Sequence, residues 1–138
     1  MSQQNVELYH RCIDAFNRRD LDALLALMDD DVEAVSRLEA IEGSLKGHGG
    51  VRRWWDSWFD VWPDYKIEIV EVRAVGDVTL ARLRAFGHGA GSDVPFVDLP
   101  WQLARWRQGK CVLWRVFNTR DEALAAIGLV GRAPPVRE

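Results

Sequence analysis

The segment VRRWWDSWFDVW, from Val51 to Trp62, carries four of the chain's seven tryptophans and limits the possible folds more than any other stretch. At helical period Val51, Trp55, Trp58 and Trp62 share one face, Trp54 and Phe59 flank it, and Pro63 ends it. A helix so aromatic around its circumference must be buried on more than one side. The rest of the chain therefore has to supply a curved surface that wraps it.

The flanking sequence provides that surface. Val6 to Phe16 reads as an amphipathic helix with Leu8 or Tyr9, Cys12, Ile13 and Phe16 on its apolar face. Asp20 is placed to cap a second short helix, LDALLALM, by accepting from free first-turn amides. Asp29, Asp30 and Asp31 then read as an exposed loop, because acids disfavour a helix C-terminus. Val32 to Ser36 has strand character. After Pro63 the pattern is strand-like: KIEIVEVRAV, a Gly76-Asp77 turn, VTLARLRAF, a glycine-rich reversal, PFVDLPWQLARWR, a tight Gln108-Gly109-Lys110 hairpin, and CVLWRVFNT. DEALAAIG, from Asp121 to Gly128, predicts a short closing helix. This order gives an α+β fold with a mostly antiparallel sheet.

Composition narrows the function classes. A chain of 138 residues, 48% hydrophobic and 28% charged, is expected to fold as one domain over 1–138, with an ordered core of about 6–129 and a frayed tail at 130–138. The net charge of −3, with Arg18 and Arg19 interleaved with Asp20 and Asp22, offers no footprint for nucleic acid. The start lacks the pattern of a signal peptide and no apolar run reaches membrane-spanning length, so the cytoplasm is the expected compartment. Cys12 and Cys111 are too few for a disulfide framework and read as small buried hydrophobes. The three histidines show no paired spacing, so neither a metal nor another cofactor is expected. His48 and His88 each lack a sequence-adjacent partner, and GHGAGS joins two strands, which makes it a turn and not a phosphate cradle.

The segments FNRRDLDALLALMDDDVE, GHGGVRRWW, EVRAVGD, RWRQGK and TRDEALAAIGL resemble the SnoaL-like branch of the nuclear transport factor 2-like superfamily, from about Val6 to Leu129. The resemblance implies a cystatin-like cone: three N-terminal helices on a strongly bent, mostly antiparallel sheet, a short C-terminal helix, and a blind apolar pocket. It also implies a set of places to inspect. The ketosteroid isomerase pattern puts its first-helix tyrosine at Cys12, its base aspartate at Ser36 and its oxyanion-hole acid at Gln102. Serine has no basicity near neutrality, so isomerisation by that route is not expected.

The cyclases of the same family depend on an acidic pocket residue, and Asp98 is the candidate here. Period-two parity puts it on one face with Phe96, Gln102, Ala104 and Trp106, although Pro100 can bend the strand. Trp54, Trp55, Trp58, Leu83, Trp106 and Trp114 are expected to line the pocket, with Gln102 and Asn118 as orienting donors. Asn118 serves equally as a cap for the following helix, and Arg37 pairs with Glu39, Glu42 or a ligand carboxylate, the plain surface ion pair being favoured. The functional expectation is a pocket protein for a hydrophobic small molecule, with acid–base isomerase, cyclase or dehydratase chemistry. The alternatives are a non-catalytic binding or dimerisation module, or a cone that the tryptophans simply fill. Leu99, Trp101, Leu103, Leu113 and Phe117 have the opposite parity, and a homodimer through that outer face is expected to cover them.

Overall fold

The computed structural model describes residues 2–35 and 43–130. Its elements run α1 (Ser2–Asn17), α2 (Leu21–Ala26), β1 (Met28–Val35), β2 (Leu45–Lys46), α3 (Gly47–Val61), β3 (Lys66–Val75), β4 (Val78–His88), β5 (Pro95–Asp98), β6 (Trp101–Arg107), β7 (Lys110–Phe117) and α4 (Arg120–Val130). The strands form one sheet in the order β2-β1-β7-β6-β4-β3, with β5 continuing alongside β4. β1 and β7 pair in parallel, and the other neighbours are antiparallel. The expected α+β class, with three helices ahead of the long strands and one after them, is the architecture observed.

Register shifts between Ile69 and Glu71, between Arg105 and Trp106, and between Met28 and Glu33 break the ladder at three places. Such irregularities bend a strand and increase its twist, so the sheet curls around the helices. α1 lies in the concavity against β3 and β4, and α3 packs against β1. The concave core joins Tyr9, Cys12 and Phe16 of α1 with Trp55 of α3 and with Ala81, Leu83, Ala85, Ala104, Trp106 and Trp114 of the sheet. Three of these sheet residues are alanines, which leaves room for the large side chains of α1 and α3. Fully burying a side chain the size of Phe16 contributes about 1.5–3 kcal/mol.

A second cluster lies on the convex face. Val78, Leu80, Leu103 and Phe117 pack under Ala123, Ala126 and Ile127 of α4. This corrects the expectation that a monomer would leave the outer row in water: Leu103 and Phe117 are buried beneath the chain's own last helix. Trp101 and Leu113 are partly covered by the same cluster, and Leu99 remains exposed. The helix is set by a capping box. Thr119 Oγ1 accepts from the Glu122 amide, while Glu122 Oε1 accepts from the Asn118 and Thr119 amides.

The acidic run at Asp29 to Asp31 is also corrected, because it lies within β1 and not in a loop. Asp30 and Asp31 still point to water, along the irregular stretch between the Met28 and Glu33 pairings. α2 is capped as read, with Asp20 Oδ1 accepting from the Ala23 amide at 3.0 Å.

Two polar latches fix the approach of α1 to β3. Asn17 donates through Nδ2 to the Ile67 carbonyl at 2.8 Å and accepts the Ile67 amide at 2.9 Å, standing in for a strand partner at the sheet edge. Arg19, with a left-handed φ of 62°, donates to the carbonyls of Phe16, Pro63 and Tyr65 and lies 3.9 Å from the Phe59 ring centroid. Partial burial lowers its pKa. No helix among the described residues is long and apolar enough to cross a membrane.

Candidate functional site: an aromatic ladder at the rim of the concave face

Helical spacing of four aligns Trp54, Trp58 and Trp62 along α3, and the ladder continues onto the sheet at Phe96. Successive ring centroids are 6.1, 6.4 and 4.6 Å apart. Tyr65 buttresses it from beneath, perpendicular to Trp58 at 5.1 Å and near-parallel to Phe96 at 6.3 Å. Trp54, Trp58, Trp62 and Phe96 are each only partly buried. The indole Nε1 of Trp58 is sealed from solvent and has no hydrogen-bond partner among the described residues. A buried donor without an acceptor is costly, and apolar neighbours cannot relieve it.

Trp55, Trp106 and Trp114, also expected as pocket walls, are buried within the concave core, as is Leu83. Trp106 donates from Nε1 to Thr79 Oγ1 at 2.9 Å, so its polar edge is satisfied internally. Two clefts are lined by described residues, one beside the start of α1 and backed by Trp106, the other beside Asp64 and His88.

The floor of the concavity carries a contact that the sequence pattern did not point to. Tyr9, and not Cys12, reaches Gln102: its hydroxyl donates to Gln102 Oε1 at 2.5 Å, with both residues buried. Burial raises the Tyr9 pKa and pushes the Cys12 thiol up to about 12, so both groups stay protonated. The pair is therefore neutral. Ser36, the place of the isomerase base, and Arg37 lie outside the described residues.

Asp98 stands opposite Ala85 in the β4–β5 ladder, and Gln102 stands opposite Ala81 in the β4–β6 ladder. Antiparallel partners share a face. Ala81 and Ala85 both belong to the concave core, so the intervening Pro100 does not reverse the parity, and Asp98 sits on the concave side beside Phe96. It is half-buried, and its Oδ1 accepts the Leu99 amide at 2.9 Å. Four extended residues separate it from Gln102, about 13 Å at ~3.3 Å per residue. The two side chains cannot meet on one small carbonyl. Asn118 is exposed, its backbone amide held by the cap of α4.

His88 has a partner after all, distant in sequence. Its Nδ1 lies 2.8 Å from Asp64 Oδ2, and its amide donates to Asp64 Oδ1 at 2.7 Å. The turn bearing Asp64 comes so close to the strand that a Cβ at Gly87 would lie 2.9 Å from Asp64 Oδ1. His48 contacts the Met28 carbonyl at 3.1 Å. Among the described residues no group of three or more His, Cys, Asp or Glu side chains is arranged to hold a metal ion.

Comparison with known proteins agrees with this architecture. An NTF2-like protein of unknown function from Burkholderia pseudomallei superposes with a TM-score of 0.76 at 17% identity, covering 88% of this chain and 95% of that one. IdmH from Streptomyces antibioticus, a proposed polyketide cyclase, gives 0.73 at 22%, covering 91% and 99%. A cystatin-fold protein from Novosphingobium aromaticivorans gives 0.68 at 24%, covering 82% and 97%. No curated protein matches the sequence. The SnoaL-like domain model matches residues 9–114, which takes in both the Tyr9–Gln102 floor and the aromatic ladder. The chain belongs to the SnoaL-like domain family.

Proposed function

We propose that this protein binds a flat, hydrophobic small molecule against the aromatic ladder. The aromatic ladder carries this reading: Trp54, Trp58, Trp62 and Phe96 lie in file, each only partly buried, and a planar ligand stacking along them would cover their remaining exposed surface. Asp98, on the same concave side as Phe96, is the group proposed for acid–base chemistry of the isomerase, cyclase or dehydratase kind. The likeness to a proposed polyketide cyclase supports a substrate of this shape. The binding is also proposed to occur in a homodimer that meets through the outer sheet face, where Val97 and Leu99 are exposed.

A second reading, binding without turnover, is favoured by one observation. The polar pair at the floor is neutral, and its tyrosine and glutamine satisfy each other.

Titration of tryptophan emission with polycyclic aromatic ketones tests the binding. Saturable quenching is expected, weakened about fivefold by Trp58→Leu, which removes one aromatic stacking contact of about 1 kcal/mol. No response across such a panel would overturn the reading. Asp98→Asn should abolish any turnover found and leave the quenching intact. Full activity in that variant would remove Asp98 from the chemistry and leave the binding assignment standing.

A further inference from the structure

The cleft beside the start of α1 has a volume of about 380 Å³ and is lined by Gln4, Asn5, Gly76, Asp77, Trp106, Gln108 and Gly109. It lies at the opposite end of β4 from the aromatic ladder. The turn at Gly76-Asp77 precedes Val78, whereas Phe96 pairs with Gly87, nine residues and about 30 Å further along the strand.

Asn5 is the observation that marks it. The residue is only 8% exposed, yet among the described residues its carboxamide has no hydrogen-bond partner. It is not one of the polar atoms sealed away from solvent, so its amide opens onto the cleft it lines. A buried amide in this position has given up most of its water without gaining a protein partner.

The surroundings decide which ligand fits. Gln4 and Asn5 stand in the first turn of α1, where backbone amides lack intrahelical acceptors and the helix presents its positive end. No acidic side chain in that turn offsets it. The Asp77 carboxylate across the cleft is already held by Arg105 Nε at 2.9 Å. Two further carboxamides, Gln4 and Gln108, stand at the edge, and the buried Trp106 ring forms the apolar back wall.

We propose that this cleft is a second binding site, which takes a small carboxylate. The Asn5 amide and the first-turn amides of α1 donate to its oxygens, and a short carbon tail rests on Trp106. A carboxylate fits better than a cation, which would face the positive helix end, or a neutral polyol, which would leave that end uncompensated.

The test is NMR titration of the ¹⁵N-labelled protein with sodium acetate and sodium benzoate, against sodium chloride at matched ionic strength. Both carboxylates should shift the Asn5 side-chain amide and the Trp106 indole N–H saturably, and benzoate, with its larger apolar tail, should bind more tightly. Asn5→Asp keeps the shape of the side chain and places at the helix start a charge the helix tolerates, but repels the ligand. It should weaken binding by about tenfold or more. Gln108→Ala, on an exposed turn, provides a second variant and should weaken binding severalfold, whereas Trp58→Phe should leave it unchanged. Equal binding by Asn5→Asp, or shifts that chloride reproduces, would overturn the proposal. So would the lack of any saturable shift at Asn5.

Discussion

The Tyr9 hydroxyl and the Gln102 carboxamide, 93 positions apart, meet in a buried hydrogen bond of 2.5 Å that ties α1 to the middle of the sheet. Removing the hydroxyl alone leaves Gln102 Oε1 without its donor in the interior. Tyr9→Phe is expected to cost about 1–2 kcal/mol in urea unfolding with an unchanged m-value. Wild-type stability in that variant would show that the contact contributes nothing net.

Burial that holds the Cys12 thiol at about 12, and Cys111 well above its ordinary value, also removes both from thiolate chemistry. Iodoacetamide at mildly alkaline pH should leave both unmodified in the native protein and alkylate both in denaturant. Mass spectrometry distinguishes the cases, and rapid native labelling of Cys12 would contradict its placement.

Asp64 accepts from the His88 imidazole and from its backbone amide, and these bonds lower its pKa below the ordinary 3.8. A depressed carboxylate stabilises the fold fully above its unfolded value and loses that contribution as pH falls through the lower, folded one. Asp64→Asn should therefore flatten part of the acid limb of the stability profile below about pH 4. Glu71, lowered by Arg73, accounts for another part of the same limb. An unaltered limb in Asp64→Asn would show that the pair has no linkage to folding.

Arg19 bonds to three carbonyls and covers the Phe59 ring, so its loss uncouples the end of α1 from the turn that carries Tyr65. Arg19→Ala is expected to cost about 2 kcal/mol, a fall in Tm of roughly 6 °C by calorimetry. Arg19→Lys should recover little, because an ammonium cannot reproduce the planar fork.

Val97 and Leu99, at 56% and 58% exposure, remain uncovered on the outer face after α4 has buried its own strip. Sedimentation should find a dimer that the double substitution of both residues to lysine converts to a monomer. A wild-type monomer would show that α4 is cover enough.

How much of this was legible in the sequence follows the range of each signal. Local signals read correctly: the Trp-rich helix stopped by Pro63, the cap at Asp20, and the turns at Gly76-Asp77 and Gln108-Gly109. Partners distant in the chain did not. The Tyr9–Gln102 contact is one of them, since only the folded register brings Gln102 to α1. Asp29 to Asp31 read as a loop because β1, the strand that carries them, takes its β7 partners only on either side of them, at Met28 and Glu33, and from far downstream. Trp62 was seen as part of the helix, but its contact with Phe96 needed the turn that Arg19 secures. The cover that α4 gives the outer face was hidden for another reason: strand parity shows which side chains point outward, but not what lies over them.

The parallel pairing of β1 with β7 also bears on the order of folding. As the chain is synthesised, β1 finds only the short β2 as a neighbour until Lys110–Phe117 has emerged, so its inner edge stays open through most of translation. The sheet is completed late and from its two ends. A chain truncated after Gly109 would be left with an unpaired edge beside exposed aromatic surface, and is expected to precipitate or be captured by chaperones where the full chain folds.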